Sequence, residues 1–289
     1  MSSQSPPDFD ALWDYHHPGQ TETKFRQILL QFREDDPAFL ELLTQIARAQ
    51  GLQRKFHQAH RTLNQVERRL EEPPSRPGVR YLLERGRVYN SSGKPKVARP
   101  LFQQAFEVAE QLKEDFYAVD ALHMLAIVAS PEQNLALNLQ AIQLAESSLQ
   151  ERVRDWLGPL YSNTGWAYHD MGEFLSALES FRNAERWRRS KGQVRETRIA
   201  VWCVARALRS LGRIEDALAR QMALKAEYDS ARESDGYVFE EIGECLLALD
   251  RQAEAAWYFR RAYECLSQDS GLVQQEPERL ARLHQLGGE

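Results

Sequence analysis

Six small residues recur along this 289-residue chain at an almost fixed interval: Ala47, Gly86, Ala126, Gly165, Ala205 and Gly243. The steps between them are 39, 40, 39, 40 and 38 residues. In three copies the frame is complete. Gly86 is followed by Ala98, Phe102 and Ala105, Gly165 by Ala177, Phe181 and Ala184, and Gly243 by Ala255, Phe259 and Ala262. The last three positions of each set have i, i+4, i+7 spacing, which is one face of an α-helix. A small residue on one helix and a phenylalanine on the next predict two closely packed helices joined by a short turn. The other copies are looser. Ala47 is followed by Ala59, Leu63 and Val66, and Ala205 by Leu208, Gly212 and Ala217. Ala126 meets a turn at Ser130-Pro131-Glu132 about one helical turn early. A unit of this size cannot bury its own apolar face, so neighbouring units must stack.

This frame resembles the tetratricopeptide repeat, a helix–turn–helix unit usually of about 34 residues. The longer period is similar to that of kinesin light chains and bacterial peptide-sensing regulators. The chain as a whole resembles bacterial tetratricopeptide proteins that carry no assigned function. The resemblance spans residues 39–270 and implies an all-α fold. That fold is a right-handed α-α superhelix of about six helix–turn–helix repeats with capping helices at both ends. It says almost nothing about activity. The expected organisation is an N-terminal segment and capping helix over 1–38, the solenoid over 39–272 and a C-terminal capping helix over 273–289.

The ends fit that plan. A short segment carries Phe9, Leu12 and Trp13, and a helix is expected from Thr21 to Phe32 with Phe25, Ile28, Leu29 and Phe32 on one stripe. Thr21 is its expected N-cap. Leu280, Leu283 and Leu286 mark a last helix from Pro277 to Leu286. Between the first two repeats, Glu72-Pro73-Pro74-Ser75-Arg76-Pro77-Gly78 reads as an ordered turn, since proline cannot continue a helix.

The resemblance implies that the first helix of each repeat lines a concave groove. Counted from the small residue, the inward positions are Glu41, Thr44 and Arg48, then Arg80, Leu83, Arg87 and Asn90, then Asp120, His123 and Ile127. They continue as Ser162, Asn163, Trp166 and His169, then Ile199, Trp202, Arg206 and Arg209, then Tyr237, Glu240 and Glu244. Aromatic and arginine side chains are common interface anchors, and arginine and asparagine suit a carboxylate or an extended backbone. One reading is therefore a peptide segment or acidic tail bound across the second to fifth repeats. The other is that Trp166 and Trp202 only fill a tightly wound superhelix. Capture of a chaperone tail is not expected, because Leu83 and Asp120 break the Lys/Asn clamp of that branch.

Charge and composition exclude several classes. With 37 Lys+Arg against 42 Asp+Glu the chain lacks the basic excess of a nucleic-acid binder. No run of 18 apolar residues is present, so no membrane span is expected. Cys203, Cys245 and Cys265 form neither a disulfide framework nor a CxxC pair. The N-terminus has no apolar stretch of a signal peptide, and a cytoplasmic location is expected. Residues 41–110 carry 13 basic and 7 acidic side chains, whereas residues 215–289 carry 8 and 16. Such a gradient can orient a partner or drive weak head-to-tail self-association.

Candidate chemistry is sparse. His57 and His60 are spaced i, i+3 but no carboxylate or cysteine completes a metal set. Arg186-Trp187-Arg188-Arg189 with Lys191 closes a long helix, where cations suit the negative end of the dipole. No phosphate loop, GxSxG or HExxH occurs. The expectation is a non-enzymatic scaffold without cofactor or metal that binds another protein or a peptide in its groove, through Arg87, Asn90, His123, Asn163, Trp166, His169, Trp202, Arg206, Arg209 and Glu240. The alternative is a sensor that binds a small peptide or other small ligand there.

Overall fold

The structure, a computed structural model, describes residues 8–70 and 74–288. The segment 71–73 at the start of the proline-rich inter-repeat loop lies outside the described residues. Among the described residues there is no strand, and no helix is long and apolar enough to cross a membrane. The chain divides into two compact units, Met1–Trp156 and Leu157–Glu289.

In the first unit a 3-10 turn (Asp10–Leu12) and α1 (Pro18–Leu29) precede three helical hairpins. These are α2 (Pro37–Leu52) with α3 (Phe56–Glu67), α4 (Arg76–Ser91) with α5 (Pro95–Leu112), and α6 (Asp115–Ile127) with α7 (Pro131–Ser147). The short α8 (Glu151–Arg154) ends the unit. The second unit has three more: α9 (Leu157–Asp170) with α10 (Phe174–Ser190), α11 (Val194–Ser210) with α12 (Ile214–Ala231), and α13 (Gly236–Ala248) with α14 (Gln252–Leu266). Two helices follow, α15 (Ser270–Gln275) and α16 (Pro277–Gly287). The six-repeat period is thus six hairpins. Proline in the first turn begins several of the helices, where its missing N–H has no intrahelical partner to lose.

The frame has a direct packing cause. A Cβ placed on Gly86 would lie 2.4 Å from the Phe102 ring, and one on Gly165 would lie 2.4 Å from Phe181. In the three complete copies the phenylalanine of the second helix therefore sits on the bare backbone of the first. Seven residues after the small residue the hairpin turns through a left-handed backbone, at Arg54, Gly93, Gly172, Gly212 and Asp250. The third repeat omits this residue. Its first helix ends at Ile127, one residue after Ala126 instead of five, and its second begins at Pro131.

The missing helical turn moves Asn134 and Asn138 into the places that alanine and phenylalanine hold elsewhere. The Asn134 amide donates to Ala126 O at 2.8 Å, and the Asn138 amide to Asn134 O at 3.0 Å. In the fifth repeat Gln221 stands at the phenylalanine position, wholly buried.

The first helix differs from its expectation. It begins at Pro18, and Thr21 lies inside it instead of capping it. The Thr21 hydroxyl donates to Asp14 O at 3.0 Å and accepts from Asp14 N at 3.2 Å, so it ties down the chain before the helix. Phe9 and Phe25 are buried in the first unit's core together with Leu42, Ile46, Leu63 and Phe102. At the other end Leu280 and Leu283 of α16 close the second core beside Phe259, and Arg260 donates to Gly287 O at 3.0 Å.

Candidate binding surfaces

In the first unit the inward positions form a charged network. Arg80, almost fully buried, donates to Asp10 at 2.7 and 3.2 Å and to the Tyr117 hydroxyl at 2.5 Å, with Glu41 3.6 Å away. Arg87 pairs with Glu84 at 2.6 Å and also with Asp120. Arg48 reaches the same Glu84 oxygen at 3.3 Å. Arg87 is therefore neutralised within the unit and is not a free anion donor. Asn90 is half-buried. His123 tilts against Trp156 with ring centroids 5.2 Å apart, and burial lowers its pKa, so it is neutral at neutral pH.

The second unit differs. Trp166, Trp202 and Tyr237 follow one another on α9, α11 and α13, with centroid distances of 6.1 and 6.4 Å. The Trp202 indole donates to Tyr237 O at 3.0 Å. Beside Trp202 lies a cavity of about 380 Å³ lined by Arg195, Arg198, Ile199, Tyr228, Asp235, Tyr237 and Val238. Arg195, Arg198, Ile199 and Trp202 share one α11 face by i, i+3, i+4, i+7 spacing. The wall is stiffened locally. Asp235 caps α13 by accepting from Tyr237 N and Val238 N, and also takes the Tyr228 hydroxyl at 3.2 Å. Arg198 lies 4.5 Å from the Tyr228 ring centroid and pairs with Glu233 at 2.7 Å. Burial and Asp235 together push the Tyr228 pKa up to about 12. Ile199 and Tyr237 keep 52% and 37% of their surface exposed at the cavity.

No protein-family model matches the sequence, and no curated protein is significantly similar to it. Solved structures match it in shape. The apo form of RapI superposes with a TM-score of 0.74 over 93% of this chain and 75% of its own, at 10% identity. A putative kinesin light chain from Podosopora anserina with nearly identical TPR-like repeats gives 0.58 over 69% of this chain and 99% of its own, at 16% identity. NprR in complex with its cognate peptide NprX gives 0.53 over 96% and 80%, at 13% identity. The fold is that of the tetratricopeptide-repeat proteins.

On this tetratricopeptide frame the remaining inward residues are mostly partnered. Arg209 donates to Glu241 at 2.5 and 3.1 Å, and Arg206 lies 3.8 Å from the same carboxylate. Glu240 accepts from Arg279 at 2.5 Å. His169 bonds Ser210 at 2.9 Å and, lowered by burial, is neutral at neutral pH. Asn163 is half-buried on α9. Trp166 packs edge-on against Phe181 and His169. Of the ten expected binding residues only Trp202 borders the cavity, together with Ile199 and Tyr237 from the wider set of inward positions. Tyr228, Asp235 and Arg195 were not expected there, because they sit outside the inward register of the first helices.

The other candidates are also placed. His60 lies tilted against Tyr89 and bonds Arg85 at 3.1 Å. Among the described residues no group of histidine, cysteine and carboxylate side chains could hold a metal ion. Cys203 and Cys245 are buried free thiols whose pKa values burial pushes up to about 12, so both stay protonated.

Proposed function

We propose that this chain is a non-enzymatic repeat protein that binds a peptide or partner protein, and that the second unit holds an apolar or aromatic side chain of that partner in the cavity beside Trp202. The observation that carries the reading is the pairing of Trp202 with Tyr237 around an open cavity whose rim exposes Ile199. A side chain entering it would shed apolar surface from both partners, worth roughly 25 cal/mol per Å². Arg195 and Asp235 at the rim supply polar contacts for a backbone or charged neighbour. NprR, which shares the fold, was solved with a peptide, which agrees with this class of partner. The cavity also falls in the size range of small-ligand pockets, roughly 300–1,000 Å³. That observation favours the second reading, a sensor for a small ligand. The proposed location is the cytoplasm, in keeping with three free thiols.

A displayed random-peptide library selected on the immobilised protein tests this. Peptides with an aromatic or branched aliphatic anchor should be enriched, and Trp202→Ala should weaken them at least tenfold while leaving helical circular dichroism unchanged. Selected peptides that bind wild type and Trp202→Ala equally would remove the cavity from the function. Thermal stabilisation by small compounds, with no peptide enriched, would favour the sensor.

A further inference from the structure

The segment Asp8–Tyr15 belongs to no repeat, yet it lies on the inward positions of the first unit. Phe9 anchors it in the core, and its remaining polar and aromatic contacts are those of a ligand. The Asp10 carboxylate sits against two arginines, Arg80 of α4 and Arg152 of α8. Burial raises the Asp10 pKa, and the arginines more than reverse this, so the carboxyl titrates below its ordinary range. Three residues on, the Trp13 indole donates to Gln45 Oε1 of α2 at 2.9 Å. Trp13 stacks on Tyr15 at 4.9 Å, and the Arg48 guanidinium lies 5.6 and 5.4 Å from the two ring centroids. A carboxylate held by arginines and an aromatic pair beside an arginine are strong, geometrically specific contacts.

The fit is incomplete. Beside the segment is a cavity of about 140 Å³ lined by Asp10, Tyr15, Arg48, Arg80, Glu84 and Asp120 among others. Among the residues that line it, Arg80 Nε and Glu84 Oε2 are buried and reach no hydrogen-bond partner. Arg80 and Glu84 are each more than nine-tenths buried. A donor without an acceptor and an acceptor without a donor are both costly when dry. One residue of an extended peptide points its C=O and its N–H to the same side, and so offers an acceptor for Arg80 and a donor for Glu84.

We infer that the inner face of the first unit is a peptide site occupied in cis by Asp8–Tyr15, and that its ligand in trans is a peptide with a carboxylate three residues before an aromatic side chain. Such a peptide displaces the chain's own segment and adds a backbone unit in the cavity. The site uses none of the Trp202 surface, so each reading stands or falls alone.

The probe is a fluorescent synthetic peptide with the sequence of Asp8–Tyr15. It is titrated against the full chain and against the full-length Asp10→Asn/Trp13→Ala variant, whose own segment is loosened. The variant should bind the probe at least tenfold more tightly than wild type. A probe with asparagine in place of its second aspartate should lose that gain. Equal affinity for both proteins, or indifference to that aspartate, overturns the inference. Should the variant fold poorly, hydrogen exchange on wild type decides. Millimolar probe should speed exchange at the Leu12 and Trp13 amides, which bond Phe9 O and Asp10 O, and leave α2 unchanged. No change at those amides overturns it equally.

Discussion

The two units share one repeat frame and treat its inward positions in opposite ways. In the first unit those positions hold Glu41, Arg80, Glu84, Arg87 and Asp120, ion-paired beneath a segment that supplies Asp10. In the second they hold Trp166, Trp202 and Tyr237, in tilted and edge-on contact along three helices with a cavity beside Trp202. The frame sets which positions face inward because the glycine–phenylalanine contact fixes how the two helices of a hairpin meet. It does not set whether that face is open. That depends on side-chain chemistry and on chain from outside the repeats.

The sharpest way to break this contrast is to remove one arginine from each unit. Arg80→Met takes their shared cation from buried Glu41 and half-buried Asp10, and leaves Asp10 only Arg152. Removing one member of a buried ion pair typically costs about 3–5 kcal/mol. Arg209→Met also strands a buried carboxylate, Glu241, but burial already holds its pKa up to about 7. Glu241 can therefore take a proton instead of remaining a bare charge, and Arg206 stays 3.8 Å away. Its loss should cost about 1–3 kcal/mol at neutral pH. Urea unfolding midpoints at pH 7 measure both. Equal costs would mean that the two networks are buried alike.

Most of the fold was legible in the sequence because it rests on a few large packing constraints. Gly86, Gly165 and Gly243 with Phe102, Phe181 and Phe259 give the hairpins, and the early turn at Pro131 is the shortened third repeat. The pairing of the candidate side chains was not legible. Arg87, Arg209 and Glu240 stand at positions counted as inward from the repeat, and Asp120, Glu241 and Arg279 neutralise them. Those partners come from the next repeat or the closing helix, which spacing within one repeat does not register. Asp10 lies 70 residues from Arg80, and no periodicity connects them. Tyr228 and Asp235 reach the cavity from a helix end and a cap, outside the inward count.

Proton linkage sharpens the comparison at a smaller scale. Burial, helped by the neighbouring Glu244 and Glu240, raises the Glu241 pKa from an unfolded value near 4.5 to about 7 against the pull of Arg209. The native state thus binds this proton more tightly than the unfolded chain does. The resulting stabilisation is complete below about pH 4.5 and is lost as pH rises through 7. At roughly 1.4 kcal/mol per pKa unit it amounts to no more than about 3.5 kcal/mol. Asp10 has the opposite sign. Its pKa is depressed, so its contribution is present above the ordinary aspartate range and lost on acidification. Between pH 5 and 8 Glu241→Gln should flatten the fall in melting temperature. Asp10→Asn should leave that slope unchanged. A wild-type slope that survives Glu241→Gln would assign the linkage to another group.

The smallest effect separates the two irregular repeats, one in each unit. Asn138 and Gln221 both stand where phenylalanine packs in the complete copies. Asn138 bonds Asn134 through its amide nitrogen, and Asn134 in turn bonds Ala126 O. Only the Asn138 carbonyl oxygen lacks a partner. Gln221 leaves both amide atoms buried and unpartnered. A buried polar group without hydrogen bonds costs about 1–3 kcal/mol in proteins. Gln221→Leu keeps nearly the same volume and removes that cost, so it should stabilise the second unit by about 1–2 kcal/mol. Asn138→Leu removes one orphaned oxygen but also breaks a formed hydrogen bond, and it should shift stability by less than about 1 kcal/mol. Chemical denaturation of both variants tests this. A stabilised Asn138→Leu beside an unchanged Gln221→Leu would mean that the asparagine ladder, and not the lone glutamine, is the strained substitute for the missing phenylalanine.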